Sequence, residues 1–213
     1  MSRIPFFLVI LFVVIAGLMA WRFGKESYKI LPVESPATAL HEEKFETWHE
    51  FNAPSSNFKA KLPILPQHAT ERLTDPKTKN VRDYDMYVSE KENGTIFMIS
   101  LITFLDKSST YNPDMLLTNI MNDMVAANAN NKLKYQKMGS YQGHRSLDFS
   151  IENDQATIDV NAFIVDSTLY LLTMISKAEH HNPEEFKYFI NSFELKTKPA
   201  PAINPEATFP PQK

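Results

Sequence analysis

Residues 155–176 read QATIDVNAFIVDSTLYLLTMIS. Two runs rich in β-branched and aromatic residues, 155–165 and 168–176, meet at Asp166-Ser167. That connection is too short for a helical crossover, so the two runs must pair antiparallel. Immediately upstream, HRSLDFSIE (144–152) joins the first run through Asn153-Asp154, and the same reasoning makes the three an antiparallel meander. Further out, Tyr84, Met86 and Val88 alternate with polar neighbours, which predicts a strand with one buried face. Asn93-Gly94 follows, a pair tolerant of the positive φ angles of a type I′ turn, and TIFMISLITF (95–104) comes next. That run is apolar on both faces, needs cover on both sides and belongs at the centre of a sheet.

The flanks add short strands and two helices. TWHEF (47–51) and FKAKL (58–62) read as strands joined by PSSN (54–57); Pro63 and Pro66 stop the second, and a polar loop is expected from Thr70 to Asn80. Asn112-Pro113-Asp114 combines a capping amide, a proline where no amide partner is needed and a carboxylate at the positive helix end. It predicts a helix to about Asn128, with Leu116, Leu117, Ile120, Met121 and Met124 as its apolar stripe. Asn182-Pro183-Glu184-Glu185 repeats this start, and Phe186, Phe189, Ile190 and Phe193 fall at i, i+3, i+4 and i+7, packing the helix on the sheet. The expected fold class is α+β, an antiparallel sheet of about six to seven strands flanked by helices.

Outside residues 45–195 the composition changes. Ile4 to Trp21, IPFFLVILFVVIAGLMAW, is eighteen residues without a charge between Arg3 and Arg22. Roughly 20 residues of helix span the bilayer core, so this stretch reads as a transmembrane anchor. The rival is a cleaved signal peptide, whose apolar part is shorter, about 7 to 15 residues, and ends in a small-x-small pattern. Leu18 two positions before Ala20 spoils that pattern. The expected organisation is an anchor at 1–25, a juxtamembrane linker at 26–44, the domain at 45–195 and a Pro-rich disordered tail at 196–213 with five prolines. Arg22, Lys25 and Lys29 follow the apolar run, so charge does not favour export; the layout, with three residues before the run, is that of a signal anchor whose body is translocated. The expected location is the inner (plasma) membrane, single-pass through residues 4–21, with the domain periplasmic or otherwise extracytoplasmic.

Several chemistries are excluded. With 5 glycines against 14 prolines, no window holds a glycine-rich phosphate cradle. With 0 cysteines there are no disulfides, zinc thiolates, thiol nucleophiles or lipidated cysteine. Beyond residue 25 the body carries 19 basic and 25 acidic residues, net −6, which argues against nucleic acid and against a second, electrostatic membrane contact.

The order of elements resembles the PsbP-like fold family over roughly residues 47–195. The likeness is carried by Phe58 to Pro63, by Leu169-Tyr170 followed by Thr173, and by the ending FINSFEL (189–195). The resemblance implies an antiparallel sheet between helices and a mostly non-catalytic role in binding or assembly support. No metal or partner residue of that family maps onto this chain. Bacterial relatives are often tethered by a lipidated cysteine, in whose place this chain has its apolar N-terminal run.

The residues that carry chemistry are scattered. His41 and His49, near Glu42 and Glu46, lack the four-residue spacing of HExxH. His180-His181 precede the last helix and suit either a metal or a pH response, with plain loop residues as the alternative. Asp83 with Asp85, and Asp148 with Asp159, are the candidate carboxylate pairs for acid/base work, although alternation places them at outward polar positions. GSYQG (139–143) lacks the spacing of a nucleophile elbow, and Ser140 reads as a turn residue. Asn93-Gly94-Thr95 matches a glycosylation sequon that the turn already explains. Tyr84, Tyr87, Tyr141 and Tyr170 read as exposed aromatics able to line a groove, or else as half-buried sheet residues.

No catalytic, cofactor-binding or metal residue is assigned from these patterns, and no cofactor is expected. The leading expectation is a membrane-anchored, non-catalytic interaction or assembly module whose partner is another membrane or envelope protein. Two alternatives stand beside it. One is an envelope hydrolase gathering His144 or His180 with Asp159; the other is a small-ligand carrier with a cavity between the sheet and the Asn112 helix, lined by Met115, Met121 and Met124.

Overall fold

The computed structural model describes residues 45–54, 58–74, 79–105 and 112–196. The expected anchor, the linker and all but the first residue of the tail lie outside the described residues. Among the described residues no helix is long and apolar enough to cross a membrane. The described residues are α+β, two antiparallel sheets and two α-helices.

After a 3-10 turn at Phe45–Thr47 come β1 (His49–Asn52), β2 (Phe58–Leu62), β3 (Gln67–Thr74), β4 (Val81–Glu90), β5 (Ile96–Phe104) and α1 (Pro113–Ala126). Then follow β6 (Lys132–Tyr141), β7 (His144–Glu152), β8 (Thr157–Val165), β9 (Thr168–Ser176), a 3-10 turn at Ala178–His180, α2 (Pro183–Ser192) and β10 (Glu194–Leu195). The large sheet has seven strands in the order β3-β4-β5-β9-β8-β7-β6, and the small one has three in the order β1-β2-β10. The meander 144–176 forms as read, and β5 is interior, as its two apolar faces require.

Period-2 alternation sorts the large sheet into two cores. On one face Leu147, Phe149, Ile151, Val160, Ala162, Leu169 and Leu171 lie with Leu117, Met121 and Met124 of α1. On the other, Phe97, Ile99, Phe163, Tyr170, Leu172 and Met174 lie with Phe58 and Leu62 of the small sheet and Phe189 and Phe193 of α2. The cover on this second face is therefore a small sheet plus a helix rather than a helix alone. The first two strands belong to that cover, because Ala60 and Leu62 face inward with Phe58.

α1 begins as predicted, with Asn112 Oδ1 accepting from Asp114 N at 3.0 Å and Met115 N at 3.2 Å. Such a cap contributes about 1 kcal/mol. Burying Leu117, Met121 and Met124 contributes roughly 1.5–3 kcal/mol each, so packing decides that the helix forms. It stops at Ala126, short of Asn128, where Asn131 Nδ2 donates to Met124 O at 2.9 Å.

Three readings are corrected. The expected polar loop from Thr70 is strand as far as Thr74, paired with β4 along its length and fixed by Arg72 on Asp83. Residues 132–141 also form a strand, so Ser140 is in β6 rather than in a turn. The two-residue turn with both φ values positive is at Gln142 (+48°) and Gly143 (+83°). At the β4–β5 hairpin only Gly94 is left-handed (+83°), with Gly94 N donating to Lys91 O at 2.9 Å and Lys91 N to Thr95 O at 2.8 Å. That is a turn followed by a glycine in the αL region, not a type I′ pair.

Candidate functional site

The candidate carboxylates of the large sheet sit in two separate groups on its second face. Asp83 and Asp85 lie on β4, whereas Asp148 and Asp159 lie on β7 and β8, with β5 and β9 between the two groups. At about 4.8 Å per strand, β4 and β8 are roughly 14 Å apart, so the two pairs are separate, while Asp83 with Asp85 and Asp148 with Asp159 are each neighbours on one face. Each carboxylate also has its own partner. Arg72 holds Asp83 and keeps its carboxyl below the ordinary value, and His68 Nε2 lies 3.1 Å from Asp85 Oδ1. His68 also stacks flat on Tyr87, ring centroids 4.4 Å apart.

Asp159 Oδ2 and His181 Nε2 are 2.7 Å apart, with the side chains 14% and 26% exposed. The histidine that joins Asp159 is thus the one adjoining α2, not His144, which opens β7, nor His180, which is exposed in its turn. Beside this pair Asn161, only 3% exposed, donates Nδ2 to Asp148. Ser150 stands opposite Asp159 in register but makes no hydrogen bond to it or to His181. Among the described residues no hydroxyl is hydrogen-bonded to this His–Asp pair, so the arrangement lacks the nucleophile a triad needs. His41 lies outside the described residues and His49 is exposed at the start of β1. Among the described residues no three His, Cys, Asp or Glu side chains group closely enough to hold a metal.

The four tyrosines are not exposed groove residues: Tyr87 is 1% and Tyr170 6% exposed, and Tyr84 and Tyr141 are half-buried. Tyr141 Oη donates to Ile190 O at 2.6 Å and Phe193 O at 3.2 Å, tying the β6–β7 hairpin to the end of α2. Burial pushes its phenol from the ordinary 10.0 up to about 12. A group whose pKa is raised by folding stabilises the fold below its unfolded value and loses that contribution as pH rises through the folded value. Unfolding free energy should therefore fall between pH 10 and about 12, and fall less steeply in Tyr141→Phe. A denaturant series across that range, with phenolate absorbance as a second readout, checks it. Equal slopes would mean that Tyr141 is not the group protected by folding.

The space proposed for a carrier cavity is filled: Leu117, Met121 and Met124 are at most 6% exposed and packed on the sheet, while Met115 is 59% exposed. An open groove of about 270 Å³ lies between the small sheet and α2, lined by Glu50, Lys59, Lys61, Tyr188, Ser192 and Glu194. Lys59 is already paired with Glu194 at 2.8 Å, and the groove falls at the small end of ligand pockets.

What the sequence did not single out is the loop between β2 and β3. Pro63-Ile64-Leu65-Pro66 holds Ile64 46% and Leu65 64% exposed, both large and apolar. Ser89 on β4, 1% exposed, clamps the loop: its Oγ accepts from Ile64 N at 3.1 Å and donates to Ile64 O at 2.7 Å. Two prolines and a buried hydroxyl hold the apolar pair out and fix its backbone. Two prolines flanking an apolar pair directly after a strand was the available signal.

No protein-family model matches the chain, and no curated protein matches it. Among solved structures, the chain is similar to the solution structure of cyanobacterial PsbP (CyanoP) from Synechocystis sp. PCC 6803. The TM-score is 0.42 at 8% sequence identity, over 76% of this chain and 99% of that one. The resemblance to the PsbP-like family is a weak one of fold, and it gives no residue here a role.

Proposed function

We propose that this chain is a single-pass membrane protein, anchored through residues 4–21, whose α+β domain works outside the cytoplasm as a non-catalytic interaction or assembly module in an envelope complex. The observation that carries the reading is the Pro63–Pro66 loop. A buried serine and two prolines pre-organise Ile64 and Leu65 in solvent, where they contribute nothing to the core. Rigid, exposed apolar anchors of this kind are what interfaces bury at their centres. The partner is a membrane or envelope protein with an apolar recess.

The test uses the full-length, C-terminally tagged chain in intact cells, reading protease accessibility of the domain and its crosslinked neighbours. The expected result is a protease-accessible domain that captures one envelope protein reproducibly, with capture reduced at least about tenfold by Ile64→Asp with Leu65→Asp. Both side chains being surface positions, the unfolding free energy should stay within about 0.5 kcal/mol of the parent. A cytoplasmic domain would overturn the orientation. An exported domain that captures nothing would move a second reading ahead, a hydrolase built on the Asp159–His181 pair.

A further inference from the structure

We propose that the outer edge of β6 is a docking site for an extended acidic segment of a partner protein, which adds to the seven-stranded sheet as a further strand. β6 ends the strand order, with β7 on one side and no described strand on the other. The β6–β7 hairpin closes on two residues, with Tyr141 opposite His144. In that geometry the closing pair exchanges its hydrogen bonds and every second pair behind it does the same. The N–H and C=O groups of Ser140, Met138 and Gln136 therefore point away from β7. Of these three residues Gln136 and Ser140 are exposed and Met138 is half-buried, and no described strand covers them. An open row is a template for strand addition.

The side chains select the occupant. Residues 132–141 carry Lys132, Lys134 and Lys137 and no carboxylate. Lys134 meets Glu152 at 2.7 Å in an exposed pair, while Lys137 makes no ion pair with Asp148 opposite it in register. A second copy of this chain is the wrong occupant, because β6 against β6 would set lysines against lysines. A strand with a carboxylate beside Lys137, and a second one reaching Lys134 at the register shift, satisfies both the backbone and the ammonium groups. Tyr135, 51% exposed and two residues from Lys137 on the same face, supplies apolar contact beside the charge. The register shift between Leu133 and Tyr135 confines regular pairing to residues 135–141, which is enough for a strand of ordinary length. The 63–66 loop adjoins β3, at the opposite end of the strand order, so either surface can fail without the other.

The experiment uses the full-length chain in nanodiscs and fluorescein-labelled ten-residue peptides read by anisotropy. One peptide alternates glutamate and valine, one alternates lysine and valine, and one is the acidic peptide N-methylated at alternate amides. The expected result is that the acidic peptide binds, the basic one does not, and methylation on the hydrogen-bonding edge abolishes binding. Lys134→Glu with Lys137→Glu should weaken the acidic peptide roughly tenfold or more without changing the circular dichroism spectrum. Failure of the acidic peptide to bind, or unchanged affinity in the double variant, overturns the proposal. So does equal binding of the methylated peptide, which would mean charge without strand addition. Binding of phosphatidylglycerol vesicles in place of peptide, lost in the double variant, would assign the lysines to a lipid surface and overturn it as well.

Discussion

Replacing Glu185 by alanine should cost about 3–5 kcal/mol of unfolding free energy, although the residue is a glutamate in the first turn of a helix. Such positions are ordinarily solvated and worth a few tenths of a kcal/mol. Glu185 differs because its Oε1 lies 3.0 Å from Lys91 Nζ with the two side chains only 4% and 14% exposed. Lys91 belongs to the β4–β5 hairpin, whose backbone is closed by Lys91 N on Thr95 O and Gly94 N on Lys91 O. The pair thus pins the start of α2 to the end of the large sheet. Removing one partner strands the other charge out of water, and that penalty exceeds the Coulomb energy lost. Lys91→Met alone and Glu185→Leu alone should therefore each cost a similar amount, whereas the two together should recover most of it. Equilibrium urea unfolding of the four proteins closes the cycle, and an additive double variant would mean that the two groups do not depend on each other. Raising salt to about 1 M should barely change the coupling, in contrast to the exposed Arg72–Asp83 pair.

What was legible in the sequence follows burial. β5, β7, β8 and β9 were readable because their side chains face one or two cores and so carry a period, and the two-residue turn at Asp166-Ser167 forces antiparallel pairing. Both helix starts were readable because asparagine and proline act locally, on the first amides of the helix. β3 and β6 were not, for one physical reason. They are the two edge strands of the large sheet, largely exposed on both faces, so no alternation marks them and only pairing with β4 and β7 makes them strands. Of the small sheet β1 and β2 were legible as strands, but β10 was not, nor was the sheet as a separate layer, since nothing in FKAKL says which sheet it pairs with. The candidate site divided along the same line. Asp159 was noted for its residue type, but its partnership with His181 joins residues 22 apart across the β8–β9 hairpin. The clamp of Ser89 on Ile64 spans 25 residues and needs the fold before it can be seen.

Phe193→Ala should be the most damaging single truncation in the second layer, at about 3–5 kcal/mol against a typical domain stability of roughly 5–15 kcal/mol. The residue is 1% exposed at the end of α2, where three elements converge. Its ring stacks on Phe58 of the small sheet, centroids 5.0 Å apart, and meets Phe163 and Tyr170 of the large sheet edge-on at 5.8 and 6.1 Å. Its carbonyl accepts from Gln142 Nε2 at 2.6 Å, so the backbone position is fixed by the β6–β7 turn as well. A cavity there cannot close cheaply, because each neighbour is an aromatic ring held by another sheet contact. Phe193→Leu keeps most of the volume and should cost less than about 2 kcal/mol. Hydrogen exchange separates two ways of losing the stability. The small sheet reaches the rest of the chain through Phe58 and its neighbours, whereas β7 and β8 retain the core under α1. Amides of β2 and α2 should therefore lose protection first in Phe193→Ala, with β7 and β8 still protected. Uniform loss across both faces would mean that the two cores unfold as one unit and that the small sheet is not a separable cover.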